Sequence, residues 1–250
     1  MRAPGSGRYI YAIVDGSDQL VTEQRGFDGA PLHNPGFREI GAVVSRAPLV
    51  KVEVSVENVT LHECIVESLA EDHAVLPVRF GTILSDDERV LAMLEEHYGS
   101  FVERLDLVRG KVEMGLRVLW RGASVREETI AGDRRVEKVR VEAAAASAGR
   151  RYLLRRLEEE LVNRIVKNRA ELLAAEINAP LLKHAAASRL KTLVTPSMVI
   201  DARYLVDKDK VEAFGREVER VRSSHLQLGF LSSGPWPAYS FCEGVLANDR

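Results

Sequence analysis

Only 2 cysteines occur in the 250 residues, Cys64 and Cys242. With so few, neither a disulfide framework nor a cysteine-rich zinc module is available, and a reducing, cytosolic setting is expected. No run approaches the ~20 consecutive apolar residues that crossing a bilayer requires. The opening stretch MRAPGSGRYIYAIVDG contains no apolar segment of signal-peptide length, so a soluble, cytoplasmic protein without a membrane partner is expected. An excess of one charge is also missing. The 35 Lys+Arg face 37 Asp+Glu, for a net of −2, which argues against a broad surface for nucleic acid or anionic lipid. There is no G-x-G-x-x-G after a strand pattern and no G-x-x-x-x-G-K-[ST], so neither dinucleotide nor P-loop phosphate binding is indicated. The 6 histidines, at 33, 62, 73, 97, 184 and 225, never fall at the four-residue helical spacing of a zinc site. No metal, no cofactor and no catalytic residue is implied.

What remains is an ordinary globular composition, 46% apolar and 29% charged, in a chain long enough for two domains with real cores. Residues 9–14 (YIYAIV) are wholly apolar and read as a strand covered on both faces. Residues 15–38, rich in Gly, Pro, Asn and Asp, read as a long loop. Strands are expected near 39–45 and at 50–56, where Val50, Val52, Val54 and Val56 alternate with Lys51, Glu53 and Ser55. Thr60 and Glu63 stand at capping-box spacing before Leu61, Ile65 and Leu69, the buried stripe of a helix. Residues 75–80 (VLPVRF) form a further strand. Ser85 and Glu88 make a second capping box ahead of Val90, Leu94, Tyr98, Phe101 and Leu105, a helix ended by Gly110. Residues 111–119 alternate again through Val112, Met114, Leu116 and Val118.

Residues 121–146 are charged and poor in large apolar groups, which places a domain junction there. The expected division is 1–122, a charged linker at 123–146, and 147–250. A long amphipathic helix follows over 147–178, with Leu154, Leu157, Leu161 and Ile165 as its stripe and Pro180 at its end. Strands near 191–195 and 199–206, a helix capped by Asp207 with Val211, Phe214, Val218 and Val221 inward, and a strand at 226–231 through Leu226, Leu228 and Phe230 complete the chain. The fold class is α+β: two domains, each a small antiparallel sheet with helices on one face, in an element order that suits a ferredoxin-like arrangement.

Chemistry by spacing is sparse. Arg79-Phe80-Gly81-Thr82 precedes a helix start, where backbone amides could hold an anion, although a tight turn needing a flexible glycine accounts for it as well. His62 and Cys64, two apart on a helix, face different sides and make no nucleophile–base pair; Cys64 reads as an apolar filler beside Ile65. Asp86, Asp87 and Glu88 suit a helix's first turn. Arg150, Arg151, Arg155 and Arg156 precede Glu158, Glu159 and Glu160, which reads as a salt-bridged solvated face. The segment Gly234-Pro235-Trp236-Pro237-Ala238-Tyr239-Ser240-Phe241 concentrates three aromatics among two prolines. It serves either as a rigid turn closing the core or as a stiff aromatic platform for a partner.

Four stretches in register resemble the gas vesicle protein F/L family. They are YIYAIV at 9–14, His62-Glu63-Cys64-Ile65-Val66-Glu67 with Val75-Leu76-Pro77-Val78-Arg79-Phe80-Gly81-Thr82, Ser147 to Leu153, and Gly234 to Phe241, where Ala238 stands in place of the usual second proline. The resemblance implies two α+β domains, the first a modified ferredoxin-like fold, in a minor vesicle component. It also implies contact with the main shell protein, a small and very hydrophobic polypeptide, and with other vesicle accessory proteins, in the cytoplasm and at the vesicle. Candidate contact residues are Trp236, Tyr239 and Phe241, with Arg79 and Phe80 behind them. The rival class is a small-molecule-binding or enzymatic ferredoxin-like protein, which a deep pocket with convergent polar groups would favour.

Overall fold

The computed structural model describes residues 6–17, 24–121, 129–195 and 197–242. The chain falls into two compact units, Met1–Glu113 with Gly234–Arg250, and Met114–Ser233. The boundaries anticipated at 122 and 147 do not coincide with this division, because the chain's last residues return to the first unit. In addition, residues 134–145 of the anticipated linker are helical; residues 122–128 lie outside the described ones.

In the first unit β1 (Ser6–Asp15) is flanked by β4 (Ile40–Pro48) on one side and by β5 (Val75–Pro77) and β6 (Ile83–Leu84) on the other, all antiparallel. The two-residue strands β2 (Leu32–His33) and β3 (Gly36–Phe37) line the far edge of β4. They lie inside the stretch expected to be loop, of which 18–23 fall outside the described residues. A register shift between Ile10 and Ala12 changes which residues share a face. Tyr9, Tyr11, Ala12 and Val14 consequently pack in one cluster with Ile65, Val66 and Leu69 of α1 (Val56–Asp72). Ile10 and Ile13, outside that cluster, are equally sealed from solvent, as an unbroken apolar strand requires. α2 (Asp87–Glu96) and α3 (Tyr98–Val108) bury Val90, Leu94, Phe101 and Leu105. The single helix expected over them is broken at His97, and Gly110, at φ +66°, turns the chain into β7 (Lys111–Trp120).

The strand expected at 50–56 is absent. Residues 51–55 are neither helix nor strand, and Val50, Val54 and Val56 are 52%, 72% and 81% exposed. Alternation makes a strand only where an edge is free to pair, and both edges of β4 are taken by β1 and by β2 with β3. The helix also claims this segment. Ser55 Oγ accepts the Asn58 amide at 3.2 Å and caps α1, so the helix starts at Val56, ahead of the Thr60–Glu63 pair. The next cap moves by one residue in the same way: Asp86, not Ser85, receives the Arg89 amide, at 2.8 Å. Asp87 does more than favour the helix dipole. It takes Arg8 in two hydrogen bonds of 2.7 and 2.6 Å and His33 at 3.0 Å, and the Arg8 guanidinium beside it holds its carboxyl down to about 2.

In the second unit the strand order is β10 (Leu228–Trp236), β7, β9 (Met198–Asp207), β8 (Ala187–Thr195). Leu116, Val118 and Trp120 of β7 alternate onto one face, where they meet Ala170, Leu173, Ala174, Ile177 and Leu181 of α5 (Ala148–Leu181). Phe214, Val218 and Val221 of α6 (Val211–Ser224) complete that layer. A 3-10 turn at Lys208–Lys210 separates α6 from Asp207, the expected cap.

The stripe expected at Leu154–Ile165 belongs instead to a helical hairpin. α4 (Arg134–Ala145) lies along the first half of α5, where Leu161 and Ile165 pack against Ile130, Val136 and Val162 while Leu157 is exposed. Of the arginines read as a solvated face, Arg150 and Arg151 are held against α4, and among the described residues no ion pair joins Arg155 or Arg156 to the glutamates one turn away. Arg150 pairs with Glu142, Arg140 with Glu158, and Arg151 donates to the carbonyls of Ala143 and Ala146 at the end of α4. Among the described residues no helix is long and apolar enough to cross a membrane.

These placements separate two valine-rich stretches energetically. Ile65→Ala should cost roughly 3 kcal/mol through an unfilled cavity, whereas Val54→Ser should stay within about 0.5 kcal/mol of the parent. Urea unfolding of the two variants measures both; a large loss at Val54 would restore the strand reading.

Candidate functional site

The stretches singled out at 62–67, 79–82 and 234–241 gather around one buried phenol in the first unit. The Tyr9 hydroxyl accepts the Gly81 amide at 3.0 Å and lies 3.0 Å from His62 Nδ1. With Gly81 donating, the hydroxyl's own hydrogen is directed to Nδ1, which leaves the neutral imidazole with its hydrogen on Nε2. His62 is 3% exposed and Nε2 has no hydrogen-bonding partner. Burial pushes the imidazole down from 6.5 to about 4, and pushes the Tyr9 phenol up to about 12.

Gly81 sits at φ +86°, in the left-handed region, so the turn that delivers its amide to Tyr9 favours glycine. Thr82 closes the same turn onto the Arg79 carbonyl through both its amide and its hydroxyl. The amides of Gly81 and Thr82 are therefore engaged by this chain, and the next helix begins only at Asp87, so no anion cradle exists at 79–82. The Phe80 ring packs among Tyr9, Phe27 and His62, with centroids 6.1, 6.4 and 5.8 Å away. Arg79 is exposed, and no ion pair is seen for it among the described residues.

The last stretch is held by a carboxylate. Glu113, 4% exposed on β7, accepts the Ser240 amide at 2.8 Å and the Ser240 hydroxyl at 2.7 Å. Ala238, Phe241 and Cys242 are buried in the turn that follows β10, and the Cys242 thiol donates to the Ala238 carbonyl. Tyr239 lies beside α1. Its phenol is pushed up first by burial, then by the Glu63 and Glu67 carboxylates and by Tyr9 itself. Trp236 and Tyr239 remain 47% and 37% exposed.

Of the anticipated contact residues, Trp236, Tyr239 and Arg79 thus reach the surface. Phe241 is buried, whereas Phe80 is half-buried, its ring packed partly against the core. Cys64 is corrected: it is an exposed free thiol, not a filler. Tyr9 and Glu113 were not foreseen as organising residues. Glu113 occupies the polar side of an alternating strand, where a solvated carboxylate is the default, and nothing in the local pattern marks it as buried.

An open depression of about 590 Å³ elsewhere in this unit is lined in part by Asp15, Glu39, Asp106 and Arg109. Its polar groups are already engaged: Arg109 pairs with Asp15 and Asp106, Tyr98 donates to Glu39, and Asp15 accepts the Ala74 amide at 2.7 Å. Among the described residues no group of three or more His, Cys, Asp or Glu could hold a metal ion.

Comparison with known proteins agrees with this picture along nearly the whole chain. Residues 7–243 match the family model described as gas vesicle synthesis protein GvpL/GvpF. Gas vesicle protein L1 of Halobacterium salinarum is 26% identical over 98% of this chain and 93% of its own length. Gas vesicle protein F of a Streptomyces species is 27% identical over 94% of this chain and 99% of its own. The crystal structure of GvpF from an Anabaena species superposes with a TM-score of 0.81 at 20% identity, covering 96% of this chain and 99% of that one. That of GvpF from Microcystis aeruginosa gives 0.76 at 19%, covering 95% and 99%.

Two measurements probe the buried polar groups. Because the folded His62 titrates at about 4 and an unfolded one at 6.5, the unfolded chain binds more protons between those values. Stability should therefore fall as the pH drops through that window. Chemical unfolding should show a loss of about 2 kcal/mol between about pH 7 and about pH 4.5 that a His62→Gln variant lacks; equal losses in both would remove His62 as the cause. Ser240→Ala should cost roughly 1.5–3 kcal/mol by leaving the Glu113 carboxylate short of a donor, read from the same unfolding curves, and an unchanged midpoint would show the turn is held otherwise.

Proposed function

The chain belongs to the gas vesicle synthesis protein GvpL/GvpF family, and from that premise we propose that it acts as a folded adaptor in vesicle assembly, binding the hydrophobic major shell protein through the Trp236–Tyr239 surface. The family is one of gas vesicle proteins and not a known enzyme family. On this reading the chain turns over no substrate, works in the cytoplasm and at the vesicle, and also meets other vesicle accessory proteins.

The observation that carries the reading is the fixed exposure of these rings. Trp236 and Tyr239 stand half out of the surface while Ser240, in the same turn, is anchored by two hydrogen bonds to buried Glu113. A turn already held in place loses little backbone freedom on binding, so more of the contact energy of the rings it carries appears as affinity. Aromatic anchors of this kind dominate interface energetics. A subunit destined for an apolar wall exposes surface that aggregates in water, and a soluble partner that covers it transiently keeps it competent to polymerise. Arg79, exposed on the turn that Tyr9 also fixes, is the polar contact at the edge of this surface. The small-molecule alternative is disfavoured because the polar groups lining the open depression are committed to one another.

Co-expression of the tagged chain with the major shell protein tests the proposal. The pair should co-purify, and Trp236→Ala should reduce recovery by about thirtyfold, as for a hot spot of ~2 kcal/mol, while its unfolding midpoint shifts by less than about 1 kcal/mol. If the variant unfolds, the ring is a lid on the core and not a platform. Failure of the wild-type chain to retain the shell protein would overturn the proposal outright.

A further inference from the structure

The segment between β4 and α1 has the sequence of a strand and lacks a partner. Leu49 to Ser55 is the longest run of described residues in neither helix nor strand. Leu49, Val50 and Val54 are 46%, 52% and 72% exposed, while Val52 packs partly against the α1-side core. The segment closes at each end with a tight turn, Val50 N–H to the Pro48 carbonyl at 2.7 Å and Ser55 N–H to the Glu53 carbonyl at 3.1 Å. Between them the amides of Lys51, Val52, Glu53 and Val54 have no partner among the described residues. The first unit's own edge strands, of two or three residues, are too short to serve as templates, so this is where an added strand would find backbone groups to pair with.

We propose that residues 50–54 pair antiparallel with the same residues of a second copy of this chain, about a two-fold axis at Val52. The register follows from charge. With Val52 opposite itself, Lys51 stands opposite the copy's Glu53, and Glu53 opposite the copy's Lys51, so both charged pairs are attractive. Val50 stands opposite the copy's Val54 in each direction, and the exposed valines cover one another.

The backbone is compatible with this register. If Val52 forms the hydrogen-bonded pair, its amide and carbonyl are exchanged with those of the copy, and each Val54 amide reaches the copy's Val50 carbonyl. Residues 51 and 53 then direct their backbone groups away from the copy. The Glu53 carbonyl is in fact already used on its own chain, by the Ser55 amide and by Asn58 Nδ2 at 3.0 Å. Of the groups needed, only the Val50 amide is engaged elsewhere. The contact is isologous, as a two-fold pairing must be, and its small size makes the association weak and concentration-dependent.

Analytical ultracentrifugation of the full chain tests this. The wild type should rise with concentration toward twice the monomer mass. Lys51→Glu and Glu53→Lys each put like charges opposite one another at both pairs, and each should weaken self-association by about tenfold or more. An equimolar mixture of the two single variants should recover association, because every cross-pair is then Glu with Lys. The double variant K51E/E53K should associate like the wild type. Both positions are exposed, so folding, checked by circular dichroism, should be unaffected. A wild type that stays monomeric at every concentration, or a dimer whose strength ignores the charge reversals, would overturn the proposal. Neither outcome bears on binding of the shell protein, which uses other residues.

Discussion

A phenol placed in an apolar core must find hydrogen-bonding partners for its hydroxyl, because leaving one buried and unpaired costs on the order of 1–3 kcal/mol. Tyr9 meets that demand with a backbone amide from a distant turn and a histidine from a helix. The requirement ties three segments together. β1 supplies the phenol, the Gly81 turn must adopt its left-handed conformation to present an amide, and α1 must lie with His62 facing inward. Tyr11 repeats the arrangement beside it, taking Ser45 at 2.9 Å and the Phe27 amide at 3.1 Å. Phe27 and Phe80 then fill the space around both rings. The core of the first unit is thus a set of aromatic contacts whose polar ends specify which loop goes where.

The half-exposed aromatic surface depends on that core from one side and on Glu113 from the other. Tyr239 lies close enough to Tyr9 and to the α1 carboxylates for its phenol to be perturbed by them. Glu113 accepts both donors of Ser240, so its buried carboxylate is hydrogen-bonded by the turn it holds. Two consequences follow from one geometry. Phe241 and Ala238 are buried in the turn, and Trp236 and Tyr239 are left at the surface.

The second unit obeys a simpler rule. Leu116, Val118 and Trp120 of β7 alternate onto the face that α5 and α6 cover, and Ala170 and Ala174 are among the α5 residues that meet it. The first half of α5 extends to pair with α4, through a small apolar cluster and charge pairs between the two helices.

Local pattern was enough for the α+β class, for β7, β9 and α6 with the buried residues Val90, Leu94, Phe101, Leu105 and Phe214–Val221, because these carry a periodicity of 2 or 3.6, and for β1, because it is an unbroken apolar run of strand length. It was enough, too, to mark the segments at 62–67, 79–82 and 234–241. Periodicity states which face of an element is apolar, but not whether a neighbour exists to cover it. That is why Val50–Val56, a faultless alternation, is unpaired, and why the stripe at Leu154–Ile165 meets a helix and not a sheet. It is also why the contact of α5 with the sheet falls at Ala170, Leu173, Ala174, Ile177 and Leu181. Which of the aromatic residues face inward, the burial of Glu113, and the meeting of Gly81, His62 and Tyr239 at Tyr9 were decided only by tertiary structure. Those contacts join residues far apart in the chain, and hydrogen-bond demand inside a core is settled by whichever partner the fold brings within reach.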